Sequence, residues 1–180
     1  MKSIKVYFAY GWTKGSDALS DKRWTSIFQY FKKTNEEVAA KCGVPVSFAR
    51  LRASHGRPIW ESILEKIESS DVVILDVATA PRVSDINSKK KLPPSFNANV
   101  LVELGAALAL RKRVLILCPE ELHKKGRFPS DVSSCLLTLY RDWQKGADRT
   151  FCDPRGVLPQ YKSMLHQVVE ERTENEECVK

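Results

Sequence analysis

The sequence predicts one α/β domain in which helices cover both faces of a mostly parallel sheet. Short apolar runs of strand length alternate along the chain with longer stretches whose apolar residues recur at helical spacing. The clearest strand, residues 72–77, is apolar up to Asp76, as expected for a central strand buried on both faces. With 180 residues, 43% of them hydrophobic, the chain is long enough to enclose a core without disulfides or metals.

The predicted strands are short runs bounded by turn residues. Pro45 suits the start of a strand or an edge position. Five segments have the strand pattern: 4–9, 44–49, 72–77, 113–118 and 136–140.

The predicted helices lie between these strands and after the last one. Ser20 or Asp21 can cap the first helix and Gly43 can end it, while Pro58 suits the first turn of the second. Four segments have the helical pattern: 21–41, 59–68, 97–110 and about 158–172. We expect one domain over residues 1–173 and a polar tail over 174–180.

Alternation of this kind favours a flavodoxin-like, three-layer αβα fold whose five parallel strands have the order 2-1-3-4-5. Ligands of such sheets bind beyond the carboxyl ends of the strands, beside the point where the strand order reverses. The residues that follow the strands should therefore surround one crevice, together with the start of the 97–110 helix. The polar loop over 78–96 is long enough to suggest a functional role.

The charge and the cysteines limit the partners that we expect. A formal net charge of +7 suggests an anionic partner such as a nucleotide, or serves solubility alone. The basic residues occur in short runs rather than one stripe, so nucleic acid is an unlikely partner. Five cysteines without a CxxC pair disfavour zinc and fit reduced thiols in the cytoplasm. No signal peptide or membrane-spanning run is recognisable, so we expect no membrane partner.

Glu103 is the one charged residue between Lys91 and Arg111. Its helix has no polar stripe and should be largely buried, where a carboxylate is costly unless it is paired or faces a wet cleft. Asn99 lies one turn earlier on the same helical face, and Gly105 hints at a close approach of backbone or ligand. Two interpretations stay open: a structural glutamate paired with an arginine, or a reactive carboxylate poised in a cleft.

Four stretches of the chain resemble the TIR-like domains of bacterial antiphage defence, including Thoeris-type proteins. They are Ser69–Val77, Asn97–Gly105, the strand ending at Cys118-Pro119, and Phe128–Val132. The same pattern is shared more loosely with nucleoside 2-deoxyribosyltransferase-like proteins. The resemblance spans about residues 4–142, and it departs from animal TIR domains in the loop 78–96.

This resemblance implies cleavage of an N-glycosidic bond, with Glu103 as the catalytic carboxylate. For a TIR-like enzyme the substrate would be NAD or a related nucleotide, with no cofactor and no metal, and the product a nucleotide signal. The loop over residues 8–12 would line the pocket, and the loop over 52–57 would gate it or join neighbouring copies. The resemblance also implies a homo-oligomer and an effector protein that responds to the product.

The chemistry of such a cleavage suggests roles for further residues. One carboxylate can stabilise or attack the cationic ribose, since nicotinamide leaves without a general acid. Arginines and helix-start N–H groups could hold phosphates, and aromatic rings could stack on a base or simply pack in the core. Asp76 could contact substrate or cap its own turn. The candidate binding residues are Phe8, Tyr10, Trp12, Arg52, Arg57, Asp76, Asn97 and Asn99.

Three rival functions stay open. The chain could be a nucleoside 2-deoxyribosyltransferase-like enzyme or nucleotide N-hydrolase that uses the same Glu103. It could be a non-catalytic TIR interaction module in which Glu103 is structural and the 52–57 loop is the binding surface. A flavin protein is a weaker third candidate.

Overall fold

The computed structural model describes residues 2–10, 18–49, 59–78, 96–124, 136–145, 148–152 and 157–178. The strands are β1 Ile4–Tyr10, β2 Val46–Ala49, β3 Val72–Asp76, β4 Arg113–Pro119, β5 Leu136–Lys145 and β6 Asp148–Cys152. The helices are α1 Ala18–Cys42, α2 Ile59–Glu68, α3 Ala98–Ala109, α4 Glu120–Lys124 and α5 Val157–Cys178.

The strands form one sheet in the order β2-β1-β3-β4-β5-β6. The α/β class and the parallel order 2-1-3-4 of the first four strands are confirmed. The prediction of a sheet with five parallel strands is not confirmed as it was made. The fifth strand pairs parallel with β4, but it continues to Lys145 and then pairs antiparallel with a sixth strand, β6. The sixth strand escaped prediction because Asp148–Cys152 begins with three polar residues and shows no apolar run or alternation.

Helices cover both faces of the sheet, since successive strand residues point to opposite sides. On one face, Val6 and Ile74 pack in a cluster with Phe31 of α1 and Leu165 of α5. On the other face lies a second cluster, which includes Tyr7, Leu75, Ile67 of α2 and Leu104 of α3. The two clusters alternate along each strand and explain why β3 is buried at every position.

The last helix is longer than the sequence predicted. It continues to Cys178, so most of the expected polar tail over 174–180 is helical. Near its end, Arg172 donates hydrogen bonds to the Lys2 carbonyl (2.5 Å) and to Asp71 (2.6 Å), and Asp71 also accepts from the Lys5 backbone N–H (2.8 Å). These bonds fasten α5 to the amino edge of the sheet, opposite the edge where the candidate site lies. Among the described helices, none combines the length and the apolar character that crossing a membrane requires.

Candidate functional site

The site is centred on a hydrogen bond between two buried side chains. The Tyr7 hydroxyl of β1 donates to Oε2 of Glu103 in α3 over 2.9 Å. Tyr7 is 3% exposed and Glu103 is 7% exposed. The burial of Glu103, expected from the uncharged sequence around it, is therefore observed. The two residues face each other between the sheet and the helix that covers it.

Asn97 fixes the place where α3 begins. Its side-chain oxygen accepts the backbone N–H groups of Asn99 (3.0 Å) and Val100 (3.3 Å), as an N-cap residue does. Its own backbone N–H donates to the Val77 carbonyl just beyond β3 (2.8 Å). The first turn of α3 is thus fastened to the end of the central strand, and Glu103 follows in the second turn at a fixed height above β1.

The apolar surroundings of the pair change its ionisation. Burial raises the pKa of Glu103 above its ordinary value, and the hydrogen bond from Tyr7 acts against this rise. Burial, the charge of Glu103 and the hydrogen bond to it all raise the pKa of Tyr7. Tyr7 therefore keeps its proton and remains a donor, while Glu103 ionises less readily than an exposed glutamate.

Glu103 is not held by a basic residue within the described parts of the chain. Tyr7 is its hydrogen-bond donor there, and no lysine, arginine or histidine of those segments forms an ion pair with it. The structural alternative, a glutamate paired with an arginine, is not found among these residues. Over the same residues, Oε1 accepts no hydrogen bond from the protein.

Asp76 lies at the carboxyl end of β3 and is completely buried. Its Oδ1 accepts the backbone N–H of Ala78 over 3.0 Å, so the turn-capping role is observed. Burial, followed by the charge of Asp76, raises the pKa of Cys118 at the end of β4 to about 12. The thiol of Cys118 therefore stays protonated and unreactive at neutral pH.

The two described aromatic candidates of β1 lie in different environments. Tyr10 is 42% exposed and is aligned with Asp76 in the sheet, at the carboxyl edge. Phe8 packs on the face opposite Tyr7, with its ring centroid 5.7 Å from that of Phe31 and 6.0 Å from that of Tyr10. Of these two rings, Tyr10 is the one exposed at the carboxyl edge of the sheet.

Asn99 is exposed in the first turn of α3, although Glu103 one turn later is buried. The predicted contacts of Trp12, Arg52 and Arg57 lie outside the described residues, as do Phe128–Val132 and most of the loop 78–96. Substrate binding by these residues stays a prediction. No group of three or more potential metal ligands occurs in the described segments.

Tyr7 is the member of the site that the sequence did not single out. It occupies an inward position of the first strand, between Val6 and Phe8, where it reads as one more apolar residue. A buried tyrosine hydroxyl requires a polar partner, and Glu103 is the one charged residue of the apolar α3 helix that could accept from it. The need of the Tyr7 hydroxyl for a partner and of the Glu103 carboxyl for a donor is the signal from which this contact between the first strand and the 97–110 helix could have been predicted.

The comparisons with known proteins show little. No protein-family model matches the chain, so the TIR-like resemblance gains no support there, and no curated protein matches it. Among solved structures, the chain is similar to the CMP N-glycosidase BcmB of Clostridium botulinum, with 13% identity and a TM-score of 0.43. The match covers 91% of this chain and 98% of that one. A likeness so distant does not carry a function from one chain to the other, and the site residues alone support what is proposed below.

Proposed function

We propose that this protein is an enzyme that cleaves the N-glycosidic bond of a nucleotide, with Glu103 acting at the anomeric carbon of the sugar. The observation that carries the proposal is the buried Glu103 carboxyl, held through one oxygen by the neutral donor Tyr7. A buried carboxylate without a cationic partner is costly, and such groups occur where a cation develops during a reaction.

Breaking the bond between C1′ and the base nitrogen leaves positive charge on the sugar, while the bonding electron pair goes to the base. The negative charge of Glu103 stabilises that cation, and Oε1 can bond to C1′ while Tyr7 holds Oε2. A water molecule then attacks C1′, the C1′–Oε1 bond breaks and releases the carboxylate, and the proton lost by the water passes to solvent, which balances the proton taken up by a neutral base. The apolar walls around Glu103 strengthen this electrostatic attraction.

A neutral leaving base differs from nicotinamide in its need for a proton. Cytosine or a purine has to accept a proton as it leaves, whereas nicotinamide of NAD departs without one. Asp76 is a second buried carboxyl, and it ends the strand next to β1 at the same edge of the sheet. The charge of Asp76 acts on Cys118, so Asp76 has to take up a proton from solvent before it can protonate a leaving base. In this proposal it is the candidate acid that a nucleotide with a neutral base needs and NAD does not.

NAD is the second candidate substrate. The asparagine-to-Glu-Leu-Gly stretch of α3 resembles that of TIR-like enzymes, and NAD cleavage requires only the one carboxylate that Glu103 supplies. The net charge of +7 suits either anionic substrate. An antiphage role, a nucleotide signal and an effector partner belong to this second candidate and stay predictions, as does the cytoplasmic location.

Chromatography of reaction products tests the proposal. The purified protein would be incubated separately with ribonucleoside monophosphates, deoxynucleosides, deoxynucleosides with a second free base, and NAD. We expect free base and a sugar phosphate from a monophosphate. Base exchange would instead identify a transferase, and free nicotinamide would identify NAD as the substrate.

Two variants give this experiment its controls. Glu103→Gln should lower the rate by about 1,000-fold or more, since the reacting group is lost. Glu174→Gln neutralises an exposed glutamate on α5 and should leave the rate unchanged. Equal, measurable rates in all three proteins would rule out Glu103 as the catalytic group. Release of no base from any of the substrates would favour the interaction module.

A further inference from the structure

The outer face of α3 carries no charge, although 28% of the residues in this chain are charged. Three large apolar side chains lie exposed at or just beyond the helix: Val102 (57%), Leu108 (37%) and Leu110 (42%). The exposed positions of this segment are Ala98, Asn99, Val102, Gly105, Leu108, Ala109 and Leu110. Helices on the surface of a monomer present a polar face, so this one has the surface of an interface.

Gly105 lies in the middle of that face. A methyl group placed on it would meet no described atom within 4 Å, apart from the backbone of its own helix. The backbone angle at Gly105 is not in the left-handed region, and alanine would favour the helix more. The fold of one copy therefore does not require a glycine here, whereas a close approach by another chain would.

We propose that two copies of this protein form a symmetric dimer in which their α3 helices pack antiparallel across a two-fold axis between Val102 and Gly105. In this arrangement, the exposed Val102 of each copy lies over Gly105 of the other. Ala98 and Ala109, at the two ends of the helix, lie opposite each other in the same register. The exposed Val102 thus meets a residue without a side chain, and the two alanines leave room at the ends of the helix, as close packing of helices requires.

The charges beside α3 complement each other in the same arrangement. Both α2 and α3 return from the carboxyl to the amino edge of the parallel sheet, so they run in the same direction. The start of α2 exposes Ile59 (67%), Trp60 (38%) and the acidic Glu61. The end of α3 is followed by exposed Leu110 and the basic Arg111. An antiparallel partner would bring the end of its α3 toward the start of α2, so that apolar side chains meet and acid meets base.

The net charge of the chain limits where two copies can approach each other. Two chains with a net charge of +7 repel each other, and the uncharged face of α3 is where that repulsion is weakest at short range. The proposal does not depend on the reaction proposed above. It gives a definite form to the homo-oligomer that the TIR-like resemblance implies, and it places the helix that bears Glu103 at the dimer interface.

Sedimentation equilibrium of the full chain tests the dimer. The wild-type protein should sediment as a dimer and Gly105→Trp as a folded monomer, with helical content and Tm measured beside it. Ala40→Trp introduces the same side chain at an exposed position of α1, away from the interface, and should remain a dimer. A wild-type protein that sediments as a monomer would overturn the proposal, and so would a Gly105→Trp protein that sediments as a dimer. A monomer that binds lipid vesicles through this face would identify a membrane as the occupant instead.

A charge exchange tests the register. Glu61→Arg and Arg111→Glu should each weaken the dimer by about tenfold, and the double variant should recover the affinity of the wild type. If the double variant binds no better than the two single changes combined, Glu61 and Arg111 do not meet and the antiparallel register is wrong. Base release measured on the same samples separates the two proposals, since a dimer without activity would contradict only the enzyme.

Discussion

The Tyr7 hydroxyl donates a 2.9 Å hydrogen bond to Glu103, joining residues 96 positions apart in the sequence. The bond connects the inward face of β1 to the second turn of α3. It orients one oxygen of a carboxyl whose surroundings disfavour charge, and it partly compensates for their effect on the pKa. Both the position and the ionisation of Glu103 therefore depend on Tyr7.

Removing the Tyr7 hydroxyl should impair the reaction without unfolding the protein. Tyr7→Phe keeps the ring in the apolar cluster of α2 and α3 and leaves Glu103 without its donor. We expect kcat/KM to fall by about 100-fold, as a displaced catalytic group can cause. Because the hydrogen bond lowers the pKa of Glu103, its loss should move the acid limb of the pH–rate profile to higher pH. An unchanged pH–rate profile would show that Tyr7 does not affect the pKa of Glu103.

Neutralising Glu103 should stabilise the protein at neutral pH. The pKa of Glu103 is higher in the folded protein than in the unfolded chain. The protonated form therefore contributes stability that is complete at low pH and is lost as the pH rises through the pKa of the folded protein. Glu103→Gln does not ionise. Its Tm should equal that of the wild type at low pH and exceed it at neutral pH.

Thermal unfolding at a series of pH values measures this difference, with exposed Glu174→Gln as the control. For a chain of this size, each 1 kcal/mol corresponds to about 2–4 °C in Tm. A Glu103→Gln protein less stable than wild type at neutral pH would mean that an ionised Glu103 contributes to folding.

Replacing Asp76 should slow the release of a base that needs a proton more than the release of one that does not. Asp76→Asn keeps an oxygen that can accept the Ala78 N–H, so the turn after β3 should persist. If Asp76 supplies the proton, kcat for a neutral base should fall by about 100-fold or more, while cleavage of NAD is spared. Parallel assays with a nucleotide and with NAD check this. An equal fall for both would indicate that Asp76 positions the site instead.

The N-cap of α3 should contribute to stability and, through Glu103, to activity. Asn97→Ala removes the acceptor for the N–H groups of Asn99 and Val100 and should cost about 1 kcal/mol. Asn97→Asp retains the acceptor and serves as the matched control. Chemical denaturation should show a lower free energy of unfolding for the alanine variant, and an assay of base release should show a lower rate. Full activity of that variant would mean that Glu103 keeps its position without the cap.

A substitution in the core on the α1 and α5 side of the sheet should lower the stability of the fold without altering the pH dependence of the reaction. The buried Tyr161 hydroxyl of α5 donates to Asn35 of α1 over 2.5 Å, on the face of the sheet away from Glu103. Tyr161→Phe should destabilise the protein by about 1–3 kcal/mol, because Asn35 loses its buried donor. The pH–rate profile should keep its shape. A shifted acid limb would show that the two faces are coupled.

The central sheet could be predicted because its residues follow simple patterns. The run of β3 is apolar throughout up to Asp76, and the isolated charge of Glu103 marked it as a buried carboxyl. The expectation that α3 as a whole is largely buried was wrong, because its uncharged outer face, which includes Val102 and Leu108, is exposed. The hairpin of β5 and β6 could not be predicted, since its stability comes from pairing with the existing edge of the sheet rather than from its own composition.

The candidate site was predictable only in part, because its key contact is long-range. Glu103 is conspicuous in the sequence as an isolated charge, and Asn97 as a cap residue before an apolar helix. Tyr7 is not conspicuous, because its role depends on the packing of α3 over β1. Asp76 had two roles open to it, and the structure shows the turn cap directly.

The most direct test of the central claim compares the pKa that governs the reaction with the pKa of Glu103 itself. Base release would be followed against pH, and the Glu103 carboxyl would be titrated by carbon-13 NMR, with Glu103→Gln identifying its signal. We expect both experiments to give the same pKa, higher than that of an exposed glutamate. Release of base by Glu103→Gln at the wild-type rate, with the same acid limb, would contradict it.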